Sequence, residues 1–336
     1  MDLELLEETL SGEPAYRTRQ VWEWAARGTA SYGEMTNVPA ALRAALAERV
    51  PFSSLEVAGE TLARDGTLKV LFRTHDGHAL EAVLMRYRDG RRTVCLSSQS
   101  GCPLTCTFCA TGQMKFGRNL SASEIVDQAL YFRRMERIDH CVFMGMGEPM
   151  LNLDAVLDAC ERLPDIGITH RRTAISTVGW IPGIERLAES EMPLRLALSL
   201  HAPDEALRSE LMPVNERYPL SEVIEACRAF YERKRRRVFI EYVMLSGVND
   251  RYEQAVALAK LLGPRHPGEQ PRMFKVNLIP FNPTDSPYEA SSRESIAAFK
   301  AALEAHGVQA TVRLTRGRDI DAACGQLAAK VATASL

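Results

Sequence analysis

The sequence has almost no excess of charge of either sign. Its 41 basic and 43 acidic side chains, among 336 residues, leave a formal charge of −2. A basic field over the whole surface, of the kind that attracts nucleic acid, is therefore excluded, and only local patches could bind phosphates. Because 46% of the residues are hydrophobic and 25% are charged, disorder of the whole chain is excluded as well. The length predicts one large domain with a small appendage.

The sequence also lacks the apolar segments that enter or cross membranes. Residues 1–10, MDLELLEETL, are acidic and amphipathic, unlike the basic start and apolar run of a secretory signal peptide. The longest stretch without charge, 93–114, contains polar residues such as Gln99 and Gln113, which would be costly in hydrocarbon. We expect a cytoplasmic protein without a membrane partner. Its eight cysteines are then not expected to form a disulfide framework.

Two smaller segments precede the main domain. Residues 1–52 predict a small helical accessory domain, with Trp22 and Trp24 in its second helix. Residues 53–92 predict a β-rich linking segment, because strand-like runs there are separated by the hairpin turns Asp65-Gly66 and Asp76-Gly77. We find neither an internal repeat nor a low-complexity segment.

Residues 93–336 alternate short apolar strands with amphipathic helices. Six consecutive strand–helix units predict a parallel sheet, because parallel strands need a crossover helix between them. Six units close only part of an eight-fold (β/α) barrel, so we expect an α/β fold built on a partial (β/α)6 barrel of the TIM type. In such a fold the chemistry lies at the carboxyl ends of the strands.

Three cysteines lie within eight residues, in the loop after the first strand of this domain. Cys102, Cys106 and Cys109 form a C-x₃-C-x₂-C motif. A structural zinc site needs four ligands, and a four-iron cluster usually has four thiolates as well. Three thiolates therefore suggest a cluster in which one iron is left open for another ligand, with a zinc site completed by a distant fourth ligand as the alternative.

This motif, in this position, resembles that of the radical S-adenosylmethionine (SAM) superfamily. Further motifs, in the same order, are similar to those of the RlmN/Cfr family of RNA adenosine methyltransferases, and the similarity extends over most of the chain. They are 98–102 (SQSGC), 116–121 (FGRNLS), 144–149 (MGMGEP), 199–203 (SLHAP) and 319–327 (DIDAACGQL). The resemblance implies a radical SAM core with a [4Fe–4S] cluster held by the three cysteines.

The resemblance also implies which residues bind SAM. The iron that no cysteine holds takes the amino and carboxylate groups of SAM. The other contacts are expected from residues at the ends of strands, namely Gly147, Glu148, Ser176, Ser199, Leu200, His201 and Asn282. One-electron reduction then releases a deoxyadenosyl radical, and flavodoxin or ferredoxin is the expected class of electron donor.

Three further residues carry the covalent chemistry that the family implies. Cys324 takes a methyl group from one SAM, and the radical made from a second SAM removes hydrogen from that methyl group. The resulting carbon radical adds to adenine. Glu81 accepts the proton of the ring, and Cys95 attacks the sulfur of Cys324 to release the methylated RNA and leave a disulfide.

The implied product is an adenosine of 23S ribosomal RNA methylated at carbon 2, with transfer RNA as a second candidate substrate. Two alternatives stay open: the Cfr type of methylation at carbon 8, and an iron–sulfur RNA-binding assembly factor without turnover. Residues after Gly-Glu and after His201 favour the RlmN type. We expect a monomer whose target base enters between the strand ends that carry Glu148, Ser199 and Asn282. Phosphate contacts are expected from basic clusters at 17/19, 86–92, 171/172, 233–237 and 313/316/318.

Overall fold

The protein is organised around one ten-stranded sheet in which the strands lie in chain order. The computed structural model describes residues 1–264 and 273–329, so the predicted core domain 93–336 includes two stretches outside the described residues. The strands are β1 (Leu55–Leu62), β2 (Leu68–Thr74), β3 (Ala79–Arg86), β4 (Arg92–Cys95), β5 (His140–Phe143), β6 (Thr173–Thr177), β7 (Arg195–Ser199), β8 (Val238–Met244), β9 (Phe274–Pro280) and β10 (Ala310–Val312).

Helices cover the outside of this sheet and form the amino-terminal region. They are α1 (Leu3–Thr9), α2 (Tyr16–Arg27), α3 (Ala40–Arg49), α4 (Ala122–Met135), α5 (Leu153–Ile166), α6 (Ile181–Glu189), α7 (Glu205–Leu211), α8 (Leu220–Lys234), α9 (Tyr252–Leu262) and α10 (Arg293–Ala305). Over 1–264 and 273–329, none of them is both long enough and apolar enough to cross a membrane.

Strands β4 to β10 pair in parallel. Each of β4 to β9 is followed by a crossover helix, which confirms the six predicted strand–helix units. Within the described residues β10 does not pair with β1, so the barrel stays open on that side. The predicted partial (β/α)6 barrel is therefore confirmed. The sequence pattern missed α7, a seven-residue helix that begins where the Asp204 carboxylate accepts a hydrogen bond from the Leu207 amide.

Strands β1 to β4 are antiparallel and extend the same sheet. The predicted turns at Asp65-Gly66 and Asp76-Gly77 join β1 to β2 and β2 to β3, and a third turn at 87–91 joins β3 to β4. The β3–β4 pairing places Val83 opposite Cys95, so the strand that carries Glu81 lies beside the strand that ends at Cys95. The linking segment is thus hydrogen-bonded to the barrel along one edge.

The amino-terminal helices have their own hydrophobic core, which includes Leu6, Val21 and Leu46. Trp22 lies outside that core: it packs in the main one, and its indole Nε1 donates to the Asp165 carboxylate at the end of α5 at 2.7 Å. A buried tryptophan with a satisfied N–H serves as a packing contact between two regions. The limits at residues 52 and 92 between the domains stay a prediction.

Candidate active site

The three cysteines of the C-x₃-C-x₂-C motif line one cavity of about 160 Å³ at the carboxyl ends of the parallel strands. Burial raises the pKa of all three thiols, that of Cys102 to about 12. Without a metal these groups are therefore neutral thiols at physiological pH, and a bound metal has to displace their protons. The loop makes close backbone contacts at Gly112, where an added Cβ would lie 2.9 Å from the carbonyl oxygen of Cys106.

The placement of these thiols distinguishes a cluster from a single metal ion. Among the residues that the structure describes, no three His, Cys, Asp or Glu side chains converge closely enough to hold one ion. A four-iron cluster needs ligands that are spaced further apart, because each thiolate binds a separate iron. Three thiols around one cavity, without a fourth convergent ligand, thus fit an iron–sulfur cluster better than a tetrahedral zinc site.

Gly147 and Glu148 form another wall of the same cavity. Gly147 has φ of 95°, and an added Cβ would lie 2.5 Å from the Cβ of Gln99, so only glycine fits there. The Glu148 carboxylate accepts hydrogen bonds from the amides of Met150 at 3.1 Å and Val178 at 3.0 Å. Its burial raises its pKa to about 7.

Three of the residues predicted from later strands also line this cavity. They are Ser176, Ser199 and His201. The hydroxyl oxygens of the two serines are 3.3 Å apart. His201 has φ of 60°, its Nδ1 accepts from the Val243 amide at 3.0 Å, and burial lowers its pKa to about 3, so its imidazole is neutral. Leu200 is fully buried and does not line the cavity, although its amide donates to the carbonyl of Glu241.

Cys95 and Cys324 line a second, smaller cavity together with Asn282. Cys324 lines both cavities and therefore stands between the thiol triad and Cys95. Burial raises the pKa of Cys95 to about 12, and the nearby Cys324 adds to that effect. The Asn282 side-chain amide donates to the Cys324 carbonyl at 3.2 Å, while its buried Oδ1 has no hydrogen-bond partner among the residues that the structure describes. Buried acceptors are normally hydrogen-bonded, so this oxygen is suited to accept a hydrogen bond from an N–H group of a bound ligand.

Glu81 lines neither cavity. It is 1% exposed, and both of its carboxylate oxygens have partners. Oε1 pairs with the ammonium of Lys69 at 3.0 Å, and Oε2 accepts from the amides of Ala328 and Ala329 at 2.9 and 3.1 Å. The carboxylate thus holds the chain on the carboxyl-terminal side of Cys324.

Sequence reasoning missed one buried ion pair at the centre of the site. Arg313, grouped above with the phosphate-binding candidates, donates to the Glu241 carboxylate inside the barrel at 3.1 Å. The other carboxylate oxygen of Glu241 accepts from Asn277 at 2.8 Å. Arg313 lines the two cavities above and a wider third one of about 460 Å³. Only the tertiary fold shows this pairing, since 72 residues separate the two partners.

Comparison with known proteins agrees with this geometry. Residues 96–259 match the model of the radical SAM superfamily. The chain is 48% identical to a probable dual-specificity RNA methyltransferase RlmN of Chloroflexus aurantiacus, over 95% of this chain and 88% of that protein. It is 46% identical to the corresponding protein of Thermus thermophilus, over 98% and 93%. The chain belongs to the RlmN family of radical SAM RNA methyltransferases.

A solved structure supports the same assignment. The crystal structure of a radical SAM methyltransferase from Sphaerobacter thermophilus superposes with a TM-score of 0.91, at 45% identity and with 98% of each chain covered. As a member of the radical SAM superfamily, this RlmN-family chain uses a [4Fe–4S] cluster and SAM. The predicted family, fold and cofactors are therefore confirmed.

Proposed function

We propose that this protein methylates carbon 2 of an adenosine in 23S ribosomal RNA, with transfer RNA as its second substrate. The observation that carries the proposal is the position of Cys324, which borders both the cavity of the three-cysteine motif and the cavity of Cys95. A sulfur that has to receive a methyl group on one side and be attacked by a thiol on the other needs such a position. The names of the relatives, dual-specificity RNA methyltransferases, support two RNA substrates.

Different residues bind the cluster and SAM. Cys102, Cys106 and Cys109 hold the cluster, and SAM binds against residues that line the same cavity, namely Gly147, Glu148, Ser176, Ser199 and His201. Asn282 contributes from the second cavity, and Leu200 contributes through its backbone, because its side chain is buried and lines neither cavity. When bound, the cluster and two molecules of SAM per turnover supply the methyl group and the radical chemistry. The remaining steps are carried out by side chains of this protein.

Cys324 receives the methyl group on its sulfur and becomes linked through that carbon to carbon 2 of adenine. Glu81 accepts the proton of the ring carbon. Its Oε2 first has to release the hydrogen bonds that it accepts from the amides of Ala328 and Ala329. Cys95 then attacks the Cys324 sulfur. The bond between that sulfur and the methylene carbon breaks, the carbon keeps the electron pair and takes up the proton that the Cys95 thiol has lost, methylated RNA leaves, and a disulfide remains for a thiol reductant. The single electron left by the radical addition would return to the cluster when that is bound.

A basic groove supports RNA as the substrate. It lies at the amino ends of β6 to β9, has a volume of about 380 Å³, and is lined by Arg171, Arg195, Arg235, Arg236, Arg237, Phe239 and Lys275. Within the described residues Arg195, Arg236 and Lys275 form no ion pair with a carboxylate, so these cations are available to phosphates.

A wider cavity lies between the basic groove and the interior of the barrel. The cavity of about 460 Å³ shares Arg195 and Lys275 with the basic groove, and it shares Tyr87 and Arg313 with the cavity of Cys95 and Cys324. The Arg313–Glu241 ion pair lies where the wider cavity meets the cavity of the two cysteines, so the groove is proposed to bind phosphates of the flanking RNA. The target base itself is proposed to enter at the carboxyl ends of the strands, between those that carry Glu148, Ser199 and Asn282, where the cavity of the three-cysteine motif lies.

The covalent route is tested by trapping. In cells, Cys95→Ala should accumulate a protein–RNA adduct through Cys324, because nothing releases the link, whereas Cys324→Ala should yield none. The matched control is Cys160→Ala, which removes a buried thiol of α5 that lines none of the three cavities. RNA covalently bound to the Cys324 variant would contradict the roles. No adduct in either variant would favour a binding protein without turnover.

The product is tested by mass spectrometry of nucleosides. RNA from a host that lacks its own enzyme should gain 2-methyladenosine when this protein is expressed. A main product of 8-methyladenosine would assign the chain to the Cfr type of chemistry.

The groove is tested by charge reversal. Arg195→Glu with Arg236→Glu should weaken RNA binding and lower the salt dependence, by about 0.7 to 0.9 in log–log slope for each lost phosphate contact. Arg293→Glu, on the exposed start of α10, is the control. Unchanged binding by the double variant would exclude the groove.

A further inference from the structure

The segment that carries Cys324 is fastened to several separate parts of the fold, including the turn between β1 and β2, where the Gly317 amide donates to the Asp65 carboxylate at 3.1 Å. We call residues 317–329 the carrier segment. From the cluster loop, the Ala110 amide donates to the Gly325 carbonyl at 2.8 Å and the Thr111 hydroxyl to the Leu327 carbonyl at 2.6 Å. From the loop after β9, Asn282 donates to the Cys324 carbonyl at 3.2 Å.

Another attachment lies on β2 and β3, outside the parallel barrel. The ammonium of Lys69 donates to the Asp321 carbonyl at 3.3 Å, three residues before Cys324. The same ammonium pairs with Glu81 at 3.0 Å. Glu81 in turn accepts from the amides of Ala328 and Ala329, four and five residues after Cys324. Lys69 and Glu81 thus hold the carrier segment on both sides of the cysteine.

Two features show that this attachment is specific. Lys69 and Glu81 form a largely buried pair, with side chains 14% and 1% exposed, so removing the ammonium leaves a buried carboxylate with one oxygen unpaired. Ala329 has φ of 48°, in the left-handed region. An L-residue adopts that conformation at a cost, which the contacts of the segment, including the bond from the Ala329 amide to Glu81, have to offset.

We propose that Lys69 is a positioning residue which, through Glu81, fixes the carrier segment so that the Cys324 sulfur faces the three-cysteine cavity for methylation. This inference rests on the proposed role of Cys324 as methyl carrier. In the step concerned, the Cys324 thiolate forms a bond to the methyl carbon of SAM, the bond from that carbon to the sulfonium breaks, and S-adenosylhomocysteine leaves. Lys69 touches none of the reacting atoms.

The test measures methylation of Cys324 without RNA. Protein with its cluster is mixed with SAM that carries a labelled methyl group, and the rate of label gain at Cys324 is followed by peptide mass spectrometry. Misplacement of a reacting group by about 1 Å can cost up to 100-fold in rate, so we expect Lys69→Met to slow methylation about 10-fold or more. Lys69→Arg, which keeps the cation, should restore most of the rate.

Hydrogen exchange on the purified protein gives a second readout that needs no turnover. The amides of Ala328 and Ala329 should exchange faster in Lys69→Met than in the wild type. Lys300→Met is the matched control, since it breaks an ion pair of 2.8 Å with Glu304 on the exposed face of α10. It should change neither methylation nor exchange in the carrier segment.

Ala329→Pro keeps the test decisive if Lys69→Met does not fold. It removes one amide donor to Glu81 and imposes a φ near −65° where the wild type has 48°, so methylation of Cys324 should slow again. Methylation at the wild-type rate in either variant would overturn the positioning role. A wild-type protein that never gains label at Cys324 would instead overturn the proposed function.

Discussion

Arg313→Met should destabilise the protein strongly, because it leaves Glu241 as an unpaired charge inside the barrel. Breaking a buried ion pair from one side costs about 3 to 5 kcal/mol. The Arg313 side chain is 25% exposed and that of Glu241 only 3%, and Glu241 keeps its hydrogen bond from Asn277. We therefore expect a loss near the lower limit, about 3 kcal/mol in the free energy of unfolding.

The assay is a double-mutant cycle in urea, followed by circular dichroism on cluster-free protein. Glu241→Gln alone removes the charge but keeps an acceptor, and in combination with Arg313→Met it should recover more than 1 kcal/mol of the roughly 3 kcal/mol lost. The exposed pair Lys300–Glu304, with side chains 35% and 45% exposed, is the control and should couple by about 0.3 to 0.5 kcal/mol. A coupling energy below about 0.5 kcal/mol between Arg313 and Glu241 would refute the reasoning.

Three smaller perturbations test other parts of the site. Gly147→Ala should lower the free energy of unfolding by about 3 kcal/mol, because it places an alanine in the left-handed region and displaces Gln99. The Oε1 of Gln99 accepts a hydrogen bond from the buried Glu148 amide, and a loss under about 1 kcal/mol would contradict this. Trp22→Phe should cost about 1 kcal/mol in urea unfolding through its lost bond to Asp165, with no loss of methylation. His201 has its pKa lowered to about 3, so its stabilising contribution is complete above pH 6.5 and is lost as the pH falls. Wild type should lose about 1.4 kcal/mol relative to His201→Asn between pH 8 and pH 5.5, and parallel stability curves would exclude the effect.

The parallel core could be predicted from the sequence because its signals are local. Each of β4 to β9 is a short apolar run that precedes an amphipathic helix. The cysteine motif is also local, since one short loop carries all three thiols. Such patterns need only neighbouring residues to be recognised. The single helix that was missed in the barrel, α7, has seven residues and a weak pattern.

The predicted site residues come from distant parts of the sequence, and the structure places them in different cavities. Cys102, Glu148 and His201 line the first cavity, whereas Cys95 and Asn282 line the second and Glu81 lies outside both. The position of Glu81 depends on its pairing partners in β2 and on the far end of the chain. Its residue type and strand were visible in the sequence, but its partners were not.

The carrier segment shows why the rest could not be predicted. It has little regular structure of its own, and its contacts reach back 216 residues to Thr111 and 247 residues to Glu81. Contacts over such separations leave no periodicity in the sequence, because they are set by where the barrel and the hairpin bring the chain. They also bring the parts of the proposed reaction together: the loop of the thiol triad, the loop of Asn282 and the strand of Glu81 all hold one short segment. Loosening any one of these attachments should therefore be felt at Cys324, even though only Cys324 in that segment has reactive chemistry.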